Sequence, residues 1–490
     1  MNKLFLFFCI FFNVYYLFMN LIILTQQYYS LYRLYKLKYN VILSKTKYYF
    51  SCLVFLISSV VLYFLNNQII AGYLMLLTLF ISVIETKIKG FKFTRRNLIL
   101  FISSIIITNL IFYFIYLFNP FLGISLVIII SNLSLIITYY LLLPLEKIIQ
   151  NYYIKKAHDK IIKNNYIVIG ITGSFGKTTT RTFIYSLLKE DYLISNQDHN
   201  YNTLMGLCKY INNEVKDEDD ILLVELGVDH INSMLKFKKI FNLDYAVITS
   251  IGEMHLSTFK NIDNIAKEKL SISKLLKKGG KIYLHSQIEK EFKKYIDFKY
   301  IVYDEKELEF KKDFFYQIYY LDQFVETKLL IEKQLSSLFV SLIIAKEFKI
   351  NDDKIKYKLH HLIIPNRRLN TYKYKNYFVI DNSYNGNIEG IKEIIESIKL
   401  DKRRKIVITG GLIELDKKYV QYNELIGEKL NDLDYIYLIN KNDNHPLIKK
   451  IDKNKLMVFK SLIQAYSELD KNKEESILLL LCKGNDLYLK

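Results

Sequence analysis

The sequence predicts an α-helical membrane domain followed by α/β domains, and three observations carry that prediction. Apolar runs long enough to cross a bilayer crowd residues 1–145. A glycine-containing turn joins a β-like run to a helix-like run at 166–188, and strand-like and helix-like runs alternate from there onward. At 490 residues the chain has room for about three such units.

The apolar runs come first. They place spans at Leu4–Leu24, Tyr48–Leu65, Ile69–Ile84, Leu98–Leu117 and Phe121–Leu143, because about 20 apolar helical residues match the ~30 Å hydrocarbon core of a bilayer. Arg33, Lys36, Lys38, Lys45 and Lys47 follow the first run, and Lys87, Lys89, Lys92, Arg95 and Arg96 follow the third, whereas the NNQ and NP connectors are uncharged. Basic loops stay inside. The pattern therefore puts the N-terminus outside and delivers everything after the fifth run to the cytoplasm, giving a multi-pass protein of the cell (inner) membrane. No small-residue cleavage pattern follows the first run, which argues against a removable leader.

The net charge of +19 does not point to nucleic acid. Its lysines flank the apolar runs or scatter through a composition rich in Lys, Ile, Asn and Tyr, so the partner they suit is anionic membrane lipid. A basic connector at 146–165 carries Lys147, Lys155, Lys156, Lys160 and Lys163. The cysteines Cys9, Cys52, Cys208 and Cys482 are far apart, which indicates neither a zinc knuckle nor a disulfide framework.

The turn is the most informative stretch. In YIVIGITGSFGKTTTRTFIYSLL, Tyr166–Leu188, a β-favouring run ends in Gly173, Ser174, Gly176, Lys177, Thr178 and Thr179, and Phe183, Ile184, Leu187 and Leu188 then recur at helical spacing. Glycines let main-chain N–H groups converge on an anion, the helix N-terminus adds its dipole, Lys177 reaches terminal phosphates, and the Thr178 hydroxyl suits Mg²⁺. A nucleoside triphosphate is the implied ligand. The spacing is G-x-x-G-K-T, shorter than the common phosphate loop, whose first glycine position is Ile171 here.

Beyond the turn, strand-like runs ILLVELG, DYAVITSIG, GGKIYLH, YFVIDNS, KIVITGG, YIYLIN and ILLLLCKG alternate with helical ones. Such alternation means α/β units with parallel sheets. Pro365 and PNRRLN, after the helical SSLFVSLIIAKEF, mark a boundary between two of them.

Several segments follow the turn in a fixed order: HNYNTLMGL, LLVELGVD, VITSIGEMHLSTFKNIDNIAKEKLSI, PNRRLN, VIDNSYNGN, ITGGLIELD and CKGND. As an ordered series behind a G-x-x-G-K-T loop they resemble the Mur ligases, ATP-dependent ligases of peptidoglycan precursor synthesis, on the branch that adds D-alanyl-D-alanine. The resemblance covers about residues 160–490 and implies a Mur ligase P-loop ATPase domain at 166–363 and a Rossmann-like C-terminal α/β domain at 364–490. It implies ATP and Mg²⁺ as cofactors, with a cell-wall precursor and an amino acid or D-alanyl-D-alanine as substrates.

By the same resemblance, Gly173, Ser174, Gly176, Lys177, Thr178 and Thr179 hold ATP, and Thr178 and Glu225 hold Mg²⁺. His255 ligates a second metal with Lys269, a lysine carbamylated in the family; Lys267 is the second candidate for that position. Asn200 and Asn202 lie beside the substrate. Arg368 reaches ATP from the C-terminal domain, and Asp381, Asn382 and Asn385 belong to its nucleotide segment. The activity implied is amide formation through an acyl phosphate. Apolar runs stand where these relatives carry a small UDP-holding domain, so the expected precursor is lipid-linked or UDP-linked. Asn382 and Gly411 stand at positions where the family has Asp. The alternative is a non-catalytic membrane nucleotide-binding protein that regulates or scaffolds envelope synthesis, or a related ligase with a different acceptor. Retention of Lys177, Thr178, Glu225, His255 and Lys269 together favours the ligase.

Overall fold

In the computed structural model the described residues are Val14, Leu17, 94–118, 120–195, 201–254, 256–384, 388–412, 419–439, 445–472 and 474–481. The chain divides into two compact units, Met1–Asn151 and Tyr152–Lys490. The first three expected spans lie outside the described residues apart from Val14 and Leu17.

In the first unit, α1 (Arg95–Phe118) covers the fourth expected span, and α2 (Pro120–Asn164) covers the fifth and continues through Pro144 into the expected connector. Arg96 meets Glu146 in a two-pronged ion pair at 2.6 Å for each bond, and the Thr108 and Ser134 hydroxyls touch. Those pairings set α1 antiparallel to the first part of α2 and put Arg96, at the start of α1, level with Glu146 in the interior of α2. Leu17, Leu100 and Leu135 form a small cluster, while Ile102, Ile106, Leu110, Phe114, Leu117, Ile137 and Leu141 are exposed. Two stretches, Arg96–Ile115 and Leu133–Asn164, are long and apolar enough to cross a membrane.

The second unit is built on two parallel sheets. In the first, β1 (Ile167–Thr172), β2 (Ile221–Glu225), β3 (Leu243–Ile248), β4 (Leu276–His285) and β5 (Ile301–Tyr303) lie in the order β2-β1-β3-β4-β5, every pair parallel. Val168, Leu222, Val224, Ala246 and Ile248 pack into a core on one face; Ile169, Ile171, Ile221, Leu223 and Val247 pack on the other. Burial of both faces is why these strands read as unbroken apolar runs. Helices α3 (Lys177–Leu188) and α4 (Leu204–Asn213) cover opposite faces, Phe183 and Leu187 of α3 on one and Leu207 and Ile211 of α4 on the other. Helix α5 (Ile262–Leu270) starts at the Asn261 cap, and α6 (Glu332–Glu347) packs on α3. A small antiparallel sheet, β6 (Phe310–Lys312), β7 (Tyr316–Tyr320) and β8 (Gln323–Glu326), follows β5.

The second large sheet runs β13-β12-β11-β14-β10-β9, from β9 (Asn370–Tyr374), β10 (Tyr377–Asp381), β11 (Arg404–Thr409), β12 (Tyr435–Ile439), β13 (Leu456–Phe459) and β14 (Ser476–Leu481); only the edge strand β9 is antiparallel. Its faces also split by alternate residues, Val407 and Leu479 to one core and Ile406 and Leu478 to the other.

The end of α2 belongs to this unit. Ile154, Ala157 and Ile161 are buried in the core that holds Leu207 and Tyr210. His158 Nδ1 donates to the Ile240 carbonyl at 2.9 Å, Lys160 bonds the Val215 carbonyl, and Lys160 and Lys163 both pair with Asp217. The connector lysines therefore divide by role: two hold the helix to the domain, while Lys147, Lys155 and Lys156 are exposed.

Candidate active site

The first sheet has the order in which the chain leaves β1 to opposite sides, so its carboxyl edge opens a crevice beside β1 and β3. The loop 173–176 sits there. Gly173 has φ +155°, and a Cβ on it would overlap Thr249 Oγ1; Gly176 caps α3 at φ +84° without any side-chain bond. The first amides of α3 thus face the crevice with no side-chain acceptor, the arrangement that receives anions. The loop is pinned from behind. Ser174 N donates to the Ser250 carbonyl at 2.8 Å, Phe175 N to Ser250 Oγ at 2.8 Å, and Ser174 Oγ is bonded with Gly252 at 2.9 Å. Ser174, expected at the phosphates, uses its hydroxyl to fasten the loop. Thr179 is half-buried in the first turn of α3.

Two lysines converge on one carbonyl. Lys177 Nζ donates to Gly173 O at 2.6 Å and Lys269 Nζ to the same oxygen at 3.0 Å. Desolvation lowers the Lys177 pKa to about 8, with Glu225 opposing and Arg368 adding to the shift. Lys269 is 4% exposed, and burial, reinforced by the Lys177 cation, holds it well below the usual lysine value. It is kept in place by its neighbour: Glu268 accepts from the Asn232 and Met234 amides at 2.7 and 2.6 Å, locking α5 to the segment after β2. Lys267, two residues away and so on the far side of the helix, is exposed and lies over the Tyr295 ring at 4.9 Å. The geometry separates the two candidate lysines.

Glu225 ends β2 and is 4% exposed. Thr178 Oγ1 donates to its Oε2 at 2.9 Å, and Arg181 Nε donates to its Oε1 at 2.8 Å. Sequence reasoning missed Arg181; the available signal was its place three residues after Thr178, on the same helix face. Asn202 lies against the same strand end, its carbonyl accepting from Gly227 N at 2.7 Å. Asn200, His255 and Asn385 lie outside the described residues. Among the described residues no group of three or more His, Cys, Asp or Glu side chains converges as a metal site. Thr178 and Glu225 nevertheless pair a hydroxyl with a carboxylate, the hard oxygen donors that Mg²⁺ takes together with nucleotide phosphates, so the residues present fit that ion.

Arg368 arrives from the segment leading into the second sheet. Its neighbours Arg367 and Leu369 both have positive φ, 61° and 67°, a conformation costing about 1–2 kcal/mol for a residue with a Cβ. The turn is held by Arg367 N on Asn370 Oδ1 at 2.6 Å, Leu369 N on the Asp381 carbonyl at 2.8 Å and Tyr384 N on the Arg367 carbonyl at 3.1 Å. Arg368 stacks over the Tyr384 ring at 4.2 Å and lies within the field of Glu225. Asp381 Oδ1 accepts from Ser383 N at 3.0 Å, and Asn382 N donates to the Leu480 carbonyl at 3.0 Å. Gly411, after β11, has φ +76°, and a Cβ there would come within 2.5 Å of the His445 ring and 2.6 Å of Asn423 Oδ1. The fold therefore demands glycine at this position.

The fold and the loop define a nucleotide-binding α/β protein of the phosphate-loop class. The Mur ligase middle domain matches residues 171–348. The UDP-N-acetylmuramoyl-tripeptide–D-alanyl-D-alanine ligase of Borreliella burgdorferi is 25% identical over 307 residues, 58% of this chain and 65% of that protein. The Bacillus subtilis enzyme of the same name is 34% identical over 113 residues, 23% of this chain and 24% of that protein. The MurF ligase of Thermotoga maritima, solved in complex with ADP, superposes with TM-score 0.59 at 22% identity, covering 69% of this chain and 81% of that one. The chain is thus similar to the Mur ligases, most directly over residues 171–348, and spans just under two thirds of the length of the first of these relatives.

Proposed function

We propose that the chain is a membrane-anchored, ATP-dependent ligase that joins an amine to a carboxylate of a cell-wall precursor. The observation that carries this reading is the convergence of Lys177, Lys269, the Thr178–Glu225 pair and Arg368 at one sheet edge. A protein that only held a nucleotide would need the loop and not the rest. The names of the relatives supply the substrate class, a UDP-N-acetylmuramoyl-tripeptide as carboxylate donor and D-alanyl-D-alanine as amine. Residues 166–363 act as the ATP domain and 364–490 as the C-terminal domain.

A carboxylate oxygen attacks the γ-phosphorus, the bond to the β-phosphate oxygen breaks, and ADP and an acyl phosphate result. The amine nitrogen then attacks the acyl carbon, loses a proton, and phosphate leaves. Two anions must approach one another in the first step, so fixed positive charge lowers its barrier. Lys177 and Arg368 supply that charge, and the loop amides with Thr179 receive phosphate oxygens. Thr178 and Glu225 would hold Mg²⁺, which neutralises phosphate charge when bound. Burial lowers the Lys269 pKa and so favours the neutral amine, the form whose nitrogen adds CO₂ and releases a proton to give a carbamate; a carbamylated Lys269 and His255 would hold a second cation through oxygen and nitrogen donors. Asn200 and Asn202 are assigned to the carboxylate donor, and Asp381, Asn382 and Asn385 to the nucleoside.

The α1–α2 pair anchors the enzyme, with the ligase domains on the cytoplasmic side of the cell membrane, and a lipid-linked precursor suits a site tied to the bilayer by a helix. The test uses the full-length chain in nanodiscs with ATP, Mg²⁺ and D-alanyl-D-alanine, comparing UDP-linked with lipid-linked muropeptides. Phosphate release matched by amide formation is expected, faster with the lipid-linked donor. ATP binding without turnover on either donor would favour a non-catalytic nucleotide-binding role, and equal rates on both would remove the lipid preference.

A further inference from the structure

We infer that Arg181 is a positioning residue for the divalent-cation site, acting by fixing the Glu225 carboxylate; the inference rests on the nucleotide-site reading above. Thr178 and Arg181 stand three residues apart on α3 and present a hydroxyl and a guanidinium to the two oxygens of one carboxylate, at 2.9 and 2.8 Å. Glu225 therefore cannot rotate about its last bond without breaking one of the two bonds. All three side chains are buried, Thr178 and Arg181 at 8% exposure and Glu225 at 4%, so water does not substitute for a lost partner.

Charge explains why an arginine stands there. Lys177, Arg181 and Arg368 all lie in the field of Glu225. Arg181 alone among them makes a direct hydrogen bond to the carboxylate within the described residues, whereas Lys177 turns to the Gly173 carbonyl and Arg368 to the Tyr384 ring. One cation thus orients the carboxylate and two remain for the phosphates. Arg181 is buried where Lys177 is only half-buried, and it lies about one turn further into α3. Partners that orient a ligating carboxylate set metal affinity by tenfold or more when removed.

The measurement is Mn²⁺ affinity in the presence of ADP, read by the loss of free Mn²⁺ resonance on the full-length chain, beside ADP affinity measured in EDTA. Arg181→Met is expected to weaken Mn²⁺ about 10–100-fold while metal-free ADP affinity changes less than about twofold. Arg181→Lys, which keeps the charge and loses the fork geometry, falls between. Wild-type Mn²⁺ affinity in Arg181→Met overturns the inference, as does a parallel fall in metal-free ADP affinity, which a merely structural ion pair would give. If Arg181→Met does not fold, Arg181→Lys decides alone: a Mn²⁺ affinity equal to wild type overturns the proposal and a selective loss supports it. Failure of the wild-type chain to bind ADP would instead strike the nucleotide-site reading.

Discussion

Replacing Gly173 by alanine tests the loop at its tightest point. The new Cβ would overlap Thr249 Oγ1 and sit 3.1 Å from Ser250 N and 3.2 Å from the Phe175 carbonyl, with the backbone at φ +155°. The backbone penalty is about 1–3 kcal/mol, and the overpacking adds roughly 1–3 kcal/mol. Loop and strand end cannot easily yield, because Thr249 Oγ1 is itself bonded to the Phe175 carbonyl at 2.5 Å. If about 2–3 kcal/mol falls on the loop geometry that receives phosphate, ADP binding weakens roughly 30–150-fold. Calorimetric titration of ADP into the purified full-length protein reads this directly. Thr249→Ala removes the overlapped atom; alone it costs about 1 kcal/mol for a lost hydrogen bond. In the double variant the overlap with Oγ1 is gone while the backbone term and the close approaches to Ser250 N and the Phe175 carbonyl remain, so the two changes should couple by about 1–2 kcal/mol in the compensating direction. Strict additivity would refute the reasoning, since it would mean that the Thr249 hydroxyl is not what the glycine avoids.

Lys177 is protonated below about pH 8 and neutral above it, so ATP binding by the free enzyme should fall as pH rises through that value, and Lys177→Arg should remove the alkaline limb of the kcat/KM profile. Lys177→Ala should lower turnover at least about a hundredfold, as read by phosphate release, with membrane insertion unchanged. Lys269→Ala should be inactive and partly restored by short carboxylic acids, whereas Lys267→Ala, altering an exposed side chain over Tyr295, should retain activity; the reverse pattern would assign the carbamate to the other lysine. Asn423→Ala breaks three buried bonds, to Leu412 N at 2.8 Å and to the Leu412 and Tyr419 carbonyls at 2.9 Å each, and should destabilise the second sheet's domain by about 3 kcal/mol, seen as a lower thermal midpoint.

What the sequence revealed follows the range of the forces involved. The run from β1 through Gly173 into α3 was legible because strand, turn and helix are set by neighbours within a few residues. Strands buried on both faces, such as β2 and β14, announced themselves as apolar runs. The short strand β5, the hairpin strands β6 to β8 and the edge strand β9 did not, since IVY, FKK and QFVE carry too few residues to establish a period. The Arg181–Glu225 pair spans 44 residues; the local sequence puts Arg181 on the helix face of Thr178 but does not show the distant carboxylate that it meets. Gly411 is instructive in the other direction. Read in sequence it is a lost aspartate; in the fold its positive φ and the approach of His445 and Asn423 leave no space for a side chain.

Helix α2 ends inside the packed domain. Its last turns are not a tether. Ile154, Ala157 and Ile161 lie in the same core as Leu207, Cys208 and Ile211 of α4, and burying three such side chains contributes several kcal/mol, at roughly 1.5–3 kcal/mol for each large one. Helix α4 in turn begins at the Thr203 cap, which accepts from Gly206 N at 3.2 Å, directly after Asn202 on the strand end that carries Glu225. Packed contacts therefore run from the buried end of α2 through α4 to the segment proposed to bind the carboxylate donor. Ile161→Asp would place a charge in that core and should unfold the ATP domain, whereas Lys155→Glu with Lys156→Glu, on exposed positions, should leave ADP affinity unchanged. A loss of ADP affinity in the second variant would show that these lysines are part of the packed domain and not of its exposed face.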